Sequence, residues 1–283
     1  MLLFSLSLSS QTDTTDHRSP ITNSPFHQSP IIQLTEVVVQ ATRADAKSPV
    51  PHSNFSAEKI AQQYHAQDIP YLLSAVPSLV ETSDGGVGTG YTGLRIRGSD
   101  PTRINVTING IPFNDAESQG VYWVDLPDLA SSAAEIQVQR GVGTSTNGAG
   151  AFGASVNLNL SNIEGERFAT LSNTIGSFGT RKHSLQVGTG LMGTGQGKMA
   201  FTARASNIHS DGYVDRASVN MNALHLSAAY IDDNQSAQVH LLSGQEITYQ
   251  AWNGLPAQYI DNESLRTFNT AGIERTGSPH PTR

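Results

Sequence analysis

The stretch KMAFTARASNIHSDGYVDRASVNMNALHLSAAYIDDNQSAQVHLLSGQEI, residues 198–247, decides the fold. Side chains of a strand point alternately to two faces. From Lys198 to Ile208, Met199, Phe201, Ala203 and Ala205 share one face, and Thr202, Arg204 and Ser206 share the other. From Val219 to Tyr230, Leu224, Leu226, Ala228 and Tyr230 line one face, with Asn220 and Asn222 at its start. From Gln235 to Ile247, Ala237, Val239 and Leu241 oppose Gln238 and His240. Soluble strands, including those of a β-sandwich, usually run about five or six residues. Strands of about ten, apolar on one face and polar on the other, are the pattern of a transmembrane barrel.

The same texture extends upstream. Arg167 to Ile175 sets Ala169, Leu171 and Ile175 against Thr170, Ser172 and Thr174, and Arg181 to Thr189 sets His183, Leu185 and Val187 on one face. The connections differ in kind. Leu191–Gly197 and Asp232–Asn234 are compact, as periplasmic turns should be. His209–Ser218 is long and polar, as an extracellular loop can be. Gly176–Thr180 is short and breaks that alternation.

Before residue 163 the segments are shorter and mixed, and they read as a small α+β domain. Ser56 is placed to cap a helix beginning Ala57-Glu58-Lys59-Ile60. Asp68 is placed to cap a second, with Pro70 near its first turn and Pro77 ending it. Asp84 to Gly93 is a Gly-rich loop. Leu94–Arg97, Ile104–Ile108, Glu135–Arg140 and Ser155–Leu160 alternate as strands. Asn109-Gly110 is a strong hairpin-turn dipeptide.

Composition agrees with a β-rich chain. Of 283 residues, 37% are hydrophobic and 14% charged, below globular averages of about 45–50% and about 25%. The net charge of -7 and the lack of a basic stripe argue against nucleic acid. Zero Cys removes disulfides, thiolate catalysis and Cys-based metal centres. No run of about 18 apolar residues offers a transmembrane helix. Residues 1–10 resemble the apolar core of a secretory signal without its basic start, and residues 11–33 read as a flexible linker.

Enzyme chemistry finds no foothold. Gly141–Gly153 lacks the Lys-Ser/Thr ending of a phosphate loop. Gly86, Gly88 and Gly90 miss a dinucleotide fingerprint, because Tyr91 stands where the third glycine belongs. The nine His are scattered, and no Gly-x-Ser-x-Gly elbow occurs. The reading is not an enzyme, with no cofactor and no metal site.

Several ordered segments resemble the TonB-dependent outer-membrane receptor family. Thr35-Glu36-Val37-Val38-Val39-Gln40-Ala41 resembles the TonB box, and on local sequence equally the first strand of the plug domain. A short extended segment behind a linker can add to a partner's sheet edge. Asp68–Val80 resembles the family's "dLL..vPgv" segment, Leu94–Gly98 its "iRG" strand, and Ile104–Pro112 its "v.vlvDGvP" segment, with Asn109 for Asp. Ala134–Leu160 is the most specific match, with Glu135, Arg140, Gly141, Gly148, Gly150 and Gly153 in register and Ala154 for the usual second glycine. Gly176–Thr180, Asp211–Tyr213 and Tyr249–Gly254 resemble the family's early barrel.

The resemblance implies an α+β plug domain followed by antiparallel β strands of an incomplete transmembrane β-barrel. Residues 34–162 would hold the TonB box and plug, and 163–283 the first barrel strands. Plugged barrels have about 22 strands and about five alternating segments are present, so the chain is expected to be an N-terminal fragment. It implies a receptor in the outer membrane, contacting its lipid, for active uptake of a scarce extracellular ligand, a ferric siderophore or similar iron chelate first, with cobalamin, haem or an oligosaccharide as alternatives. TonB, with its inner-membrane energising complex, would be the partner. Arg95, Arg97 and Arg140 would face acidic residues of the barrel wall. The loops Asp84–Tyr91 and Asn114–Tyr122 are the candidate ligand face, with Asp84, Thr89, Tyr91, Asn114, Asp115 and Tyr122 as contacts; ordinary loop tips would read the same. The rival classes are a binding module acting by strand addition and a soluble β-rich enzyme.

Overall fold

A computed structural model describes residues 2–8 (backbone), 43–44, 48–142, 150–160 and 163–271. Strand β1 (Leu2–Leu8) runs first. The plug then begins with β2 (His52–Ser56) and α1 (Ala57–Gln63). Ser56 caps α1 as its sequence requires, its Oγ accepting from the Lys59 N–H at 3.4 Å. Helix α2 (Ile69–Leu72) starts after Asp68, but Asp68 makes no side-chain cap bond. Its carboxyl oxygen accepts from the Thr92 hydroxyl instead, at 2.9 Å. The helix also stops at Leu72 rather than at Pro77; turns bonded Ser74 to Tyr71, Val76 to Leu73 and Leu79 to Val76 fill the gap.

The hairpin β3 (Leu79–Ser83) and β4 (Thr92–Ile96) follows, then β5 (Ile104–Ile108) and β6 (Ile111–Pro112). Asn109 and Gly110 join these last two with φ of 51° and 77°, both left-handed as a tight primed turn demands. Strands β7 (Glu135–Arg140) and β8 (Ala154–Asn159) complete a sheet of order β2-β7-β8-β5-β6, in which only β5 and β8 are parallel.

Alternation builds this sheet's two sides. Ile104, Val106, Ile108, Ile136, Val138, Val156 and Leu158 pack with Phe55, Ile60, Leu72 and Leu73 in one core. The reverse side carries Asn105, Thr107, Gln137, Gln139, Ser155 and Asn157, and these too are buried. Gln137 clasps the Ala44 backbone there, accepting from its N–H and donating to its carbonyl, both at 2.8 Å. Thr107 donates to Asn157 at 2.7 Å.

The second half is one antiparallel sheet made of β9 (Phe168–Ile175), β10 (Arg181–Gly188), the short β11 (Met192–Gly193), β12 (Lys198–Ser210), β13 (Val219–Ile231) and β14 (Gln235–Thr248). The order is β1-β14-β13-β12-β10-β9, with β11 on β12. β1 lies along β14, Leu2 opposite Leu241 and Leu8 opposite Gln235. Strands β9, β10, β12, β13 and β14 begin and end within two residues of the expected alternating segments, whereas β11 falls inside the expected turn Leu191–Gly197. Leu171, Leu185, Val187, Phe201, Leu224, Leu226 and Ile247 lie exposed on the outer face. The inner face holds the plug. No helix among the described residues is long and apolar enough to cross a membrane.

Candidate functional site

Two of the regions where plug meets wall carry the polar and aromatic contacts. The first is the loop Asp84–Tyr91 between β3 and β4. Its ends are tied by the Asp84 N–H to the Tyr91 carbonyl at 3.0 Å. Thr89 is buried and donates to the Ala66 carbonyl at 2.8 Å, while the Asp68 N–H bonds to the Gly88 carbonyl at 2.8 Å. The Gly-rich loop is thus braced along its length. The Gly85 carbonyl accepts from the N–H groups of Tyr213 and Val214, in the loop joining β12 to β13. Tyr91 meets Trp252 edge to face, 6.2 Å between ring centres, and Phe178 meets Tyr213 in the same way at 5.5 Å. Plug loop, three outer connections and their aromatic rings therefore share one end of the sheet. Asp84 is half-buried, and that burial pushes its carboxyl up.

The second candidate loop braces itself. Asn114 accepts from the Val106 N–H at 2.8 Å and donates to the carbonyls of Ile104 and Gln119 at 2.9 and 2.8 Å. Asp115 accepts from the Ser118 and Glu117 N–H groups at 2.6 and 3.0 Å. Tyr122 stands exposed. Of the six contact candidates, Asp115 and Tyr122 are exposed, Asp84 and Tyr91 are half-buried, and Thr89 and Asn114 are spent on the fold.

The second joining region centres on Asp128, a left-handed residue with φ of 55°. Its side chain is fully enclosed. It accepts from the Tyr64 hydroxyl at 2.6 Å, the Ser131 hydroxyl at 2.7 Å and Lys182 Nζ of β10 at 2.6 Å. Arg204 of β12 pairs with its other oxygen. Arg204 also donates to Ser132 Oγ at 2.6 Å from Nη2, and His225 of β13 meets that same hydroxyl at 2.8 Å. His225 stacks on His240 of β14 with 5.4 Å between ring centres. Burial alone would raise the Asp128 carboxyl, but Arg204, Lys182 and its hydrogen bonds outweigh that and hold it below its ordinary value. The Tyr64 phenol is pushed well up by burial and by Asp128. Beside this contact a polar cavity of about 280 Å³ separates α1 from the inner wall, lined by Thr170, Ser172, Lys182 and Ser184 among others.

The expected arginines sit elsewhere. Arg95 is exposed and pairs with Asp100 at 3.4 Å, within the plug. Arg97 is exposed, in a left-handed conformation. Arg140 donates to the Pro77 carbonyl at 3.5 Å. None of the three forms an ion pair with the wall among the described residues. The plug–wall ion pairs found there run the other way, from a plug carboxylate to wall cations. Lys182 and Arg204 were findable: each is a lone cation on the polar, inward face of an alternating strand. Thr35–Ala41 lie outside the described residues.

Residues 44–155 match the family model of the TonB-dependent receptor plug domain. That stretch is a plug domain of the TonB-dependent receptor kind, and the strands that follow share the barrel fold of solved receptors. The chain is similar to P. aeruginosa FpvA bound to heterologous iron–pyoverdine, with 17% identity over 79% of this chain and 29% of that one and a TM-score of 0.59. The siderophore receptor PirA from Acinetobacter baumannii shares 16% identity over 77% and 35%, with a TM-score of 0.55. The copper transporter OprC shares 18% over 76% and 33%, with a TM-score of 0.57. At these identities the likeness is one of fold. This chain spans roughly a third of the length of each. No curated protein matches the chain.

Proposed function

We propose that this chain is the plug and first barrel strands of an outer-membrane receptor that takes up a scarce metal chelate, a ferric siderophore first. The observation that carries the reading is a plug domain seated on the polar face of strands whose other face is apolar and exposed. A plugged pore admits only a ligand whose binding moves the plug. The ligand would sit on the outer loops, against Asp84, Tyr91, Trp252 and Tyr122. Thr35–Ala41 would then pair with TonB by strand addition, and the pull would be transmitted to the Asp128 contact. Arg95, Arg97 and Arg140 would address wall strands other than β9–β14. A siderophore is favoured because FpvA and PirA bind or receive such ligands; OprC, a copper transporter, keeps the metal open.

The test is growth under iron limitation. A host lacking the receptor should fail to use one ferric siderophore and should recover with the wild-type gene. Val38→Pro should leave ligand binding intact and abolish the recovery. Equal growth of the deleted and wild-type hosts on every ferric chelate, with a defect on copper or cobalamin, would overturn the iron reading.

A further inference from the structure

The polar cavity beside the Asp128 contact carries more positive charge than the surrounding protein balances. It lies where the inner faces of β9, β10, β12 and β13 stand off from α1 and from the turn Leu129–Ser132. Strand register sets its wall out in rows. Ser172 lies opposite Ser184, and one level on Thr170, Gln186, Arg204 and His225 run in line from β9 to β13. Lys182 and Arg204 are its cations, 5% and 3% exposed. Among the described residues, no Asp or Glu lines it. Asp128 meets both cations from behind the lining and sets one negative charge against two positive. Asp68, within reach of Asp128, keeps its proton at neutral pH because burial raises its carboxyl to about 8. Glu246 of β14 lies near Asp125 and outside the cavity. His225 can only add positive charge, by taking up a proton.

A buried charge without a counter-charge is costly, so this surplus calls for an anion. The donors suit one with several oxygens. Lys182 Nζ has three N–H groups, of which Asp128 and Ser131 take two. The Arg204 guanidinium, already bonded to Asp128, Ser132 and Ser206, is a planar fork matched to oxyanions. Ser184, Thr202 and Ser227 add hydroxyls that can each turn a hydrogen toward an acceptor. Charge-assisted bonds of this kind are about twice as strong as neutral ones. The volume of about 280 Å³ is several times the roughly 30 Å³ share of one water, which leaves room for a polyatomic ion. Thr170 and Ser172 are exposed on its β9 side, which gives such an ion a way in.

We propose that this cavity binds one small inorganic oxyanion of the phosphate or sulfate class, held by Lys182, Arg204 and the hydroxyls of Ser184, Thr202 and Ser227. Seated there it is a second anion for the two wall cations and fastens plug to wall beside Asp128. The inference is independent of the ligand taken at the outer loops. The test is equilibrium dialysis of the whole chain, refolded in non-ionic micelles in a zwitterionic buffer, against labelled inorganic phosphate. The wild type should bind one phosphate per chain, displaced by sulfate but not by chloride at the same ionic strength. Lys182→Met leaves Asp128 and Arg204 as a one-to-one pair and should weaken binding by about tenfold or more. Ser184→Asp sets a carboxylate next to Lys182 on the inner face of β10 and should abolish binding. Circular dichroism checks that each variant keeps its strands. Phosphate at about ten times its dissociation constant should raise the wild-type melting midpoint by about 2–3 °C and leave that of Ser184→Asp unmoved. No binding by the wild type, or binding unchanged in the folded variants, overturns the site. Displacement by chloride as readily as by sulfate overturns the oxyanion class.

Discussion

Asp128 holds two wall cations at once, and its removal would leave both with hydroxyl partners but without the carboxylate that neutralises them. Breaking a buried pair from one side costs about 3–5 kcal/mol. Asp128→Ala should therefore lower the unfolding free energy of the micelle-refolded chain by that amount, read from its urea denaturation curve. Apolar replacement of Asp128, Lys182 and Arg204 together should recover much of the loss, since no charge is then stranded. Asp68 is the opposite case. Burial outweighs its hydrogen bonds to Thr92 and Gly90 and raises its carboxyl from 3.8 to about 8. The unfolded chain gives up that proton first. The contribution is thus fully present below about pH 4 and is lost as pH rises through about 8. Asp68→Asn should flatten stability across that window, read from denaturation midpoints at each pH; an unchanged pH slope would refute it.

At the level of elements, most of the fold was legible because one rule, alternation, governs it. β5 and β7 fall on the expected residues, and the long strands shift by no more than two. β3 was missed because Leu79-Val80-Glu81-Thr82-Ser83 has no clean period, and it is fixed by pairing with β4. The end of α2 was missed because tight three-residue turns replace the helix after Leu72, and its cap was missed because Asp68 bonds Thr92 across the fold. Asp128 could not be read as a site, since its partners lie 54 and 76 residues away. Gly153 shows the reverse: the motif marked it, and the structure gives the reason. A Cβ there would lie 2.3 Å from Ser99 Cβ. Gly153→Ala should destabilise the plug by about 1–3 kcal/mol through overpacking. Ser99→Gly, which removes the obstructing side chain, should restore part of the loss in thermal melts.

At the scale of the molecule, the apolar outer face makes a prediction that depends on depth. A cation at the midplane of a barrel's lipid face costs about 2–4 kcal/mol, and near the interface about 0–1. Leu226→Lys should sharply reduce the protease-protected fraction of the chain in vesicles, and Asn222→Lys should hardly change it. Equal effects would argue against a lipid-facing wall. The plug answers a different demand. Its hidden reverse side is amide and hydroxyl rather than hydrocarbon. Hydrogen bonds exchanged for bonds to water change free energy little, whereas bared hydrocarbon sticks to whatever it meets. A module backed in this way can be wetted and then settle again, so if the proposed uptake pulls it from the wall, it would stay fit for reuse instead of aggregating there.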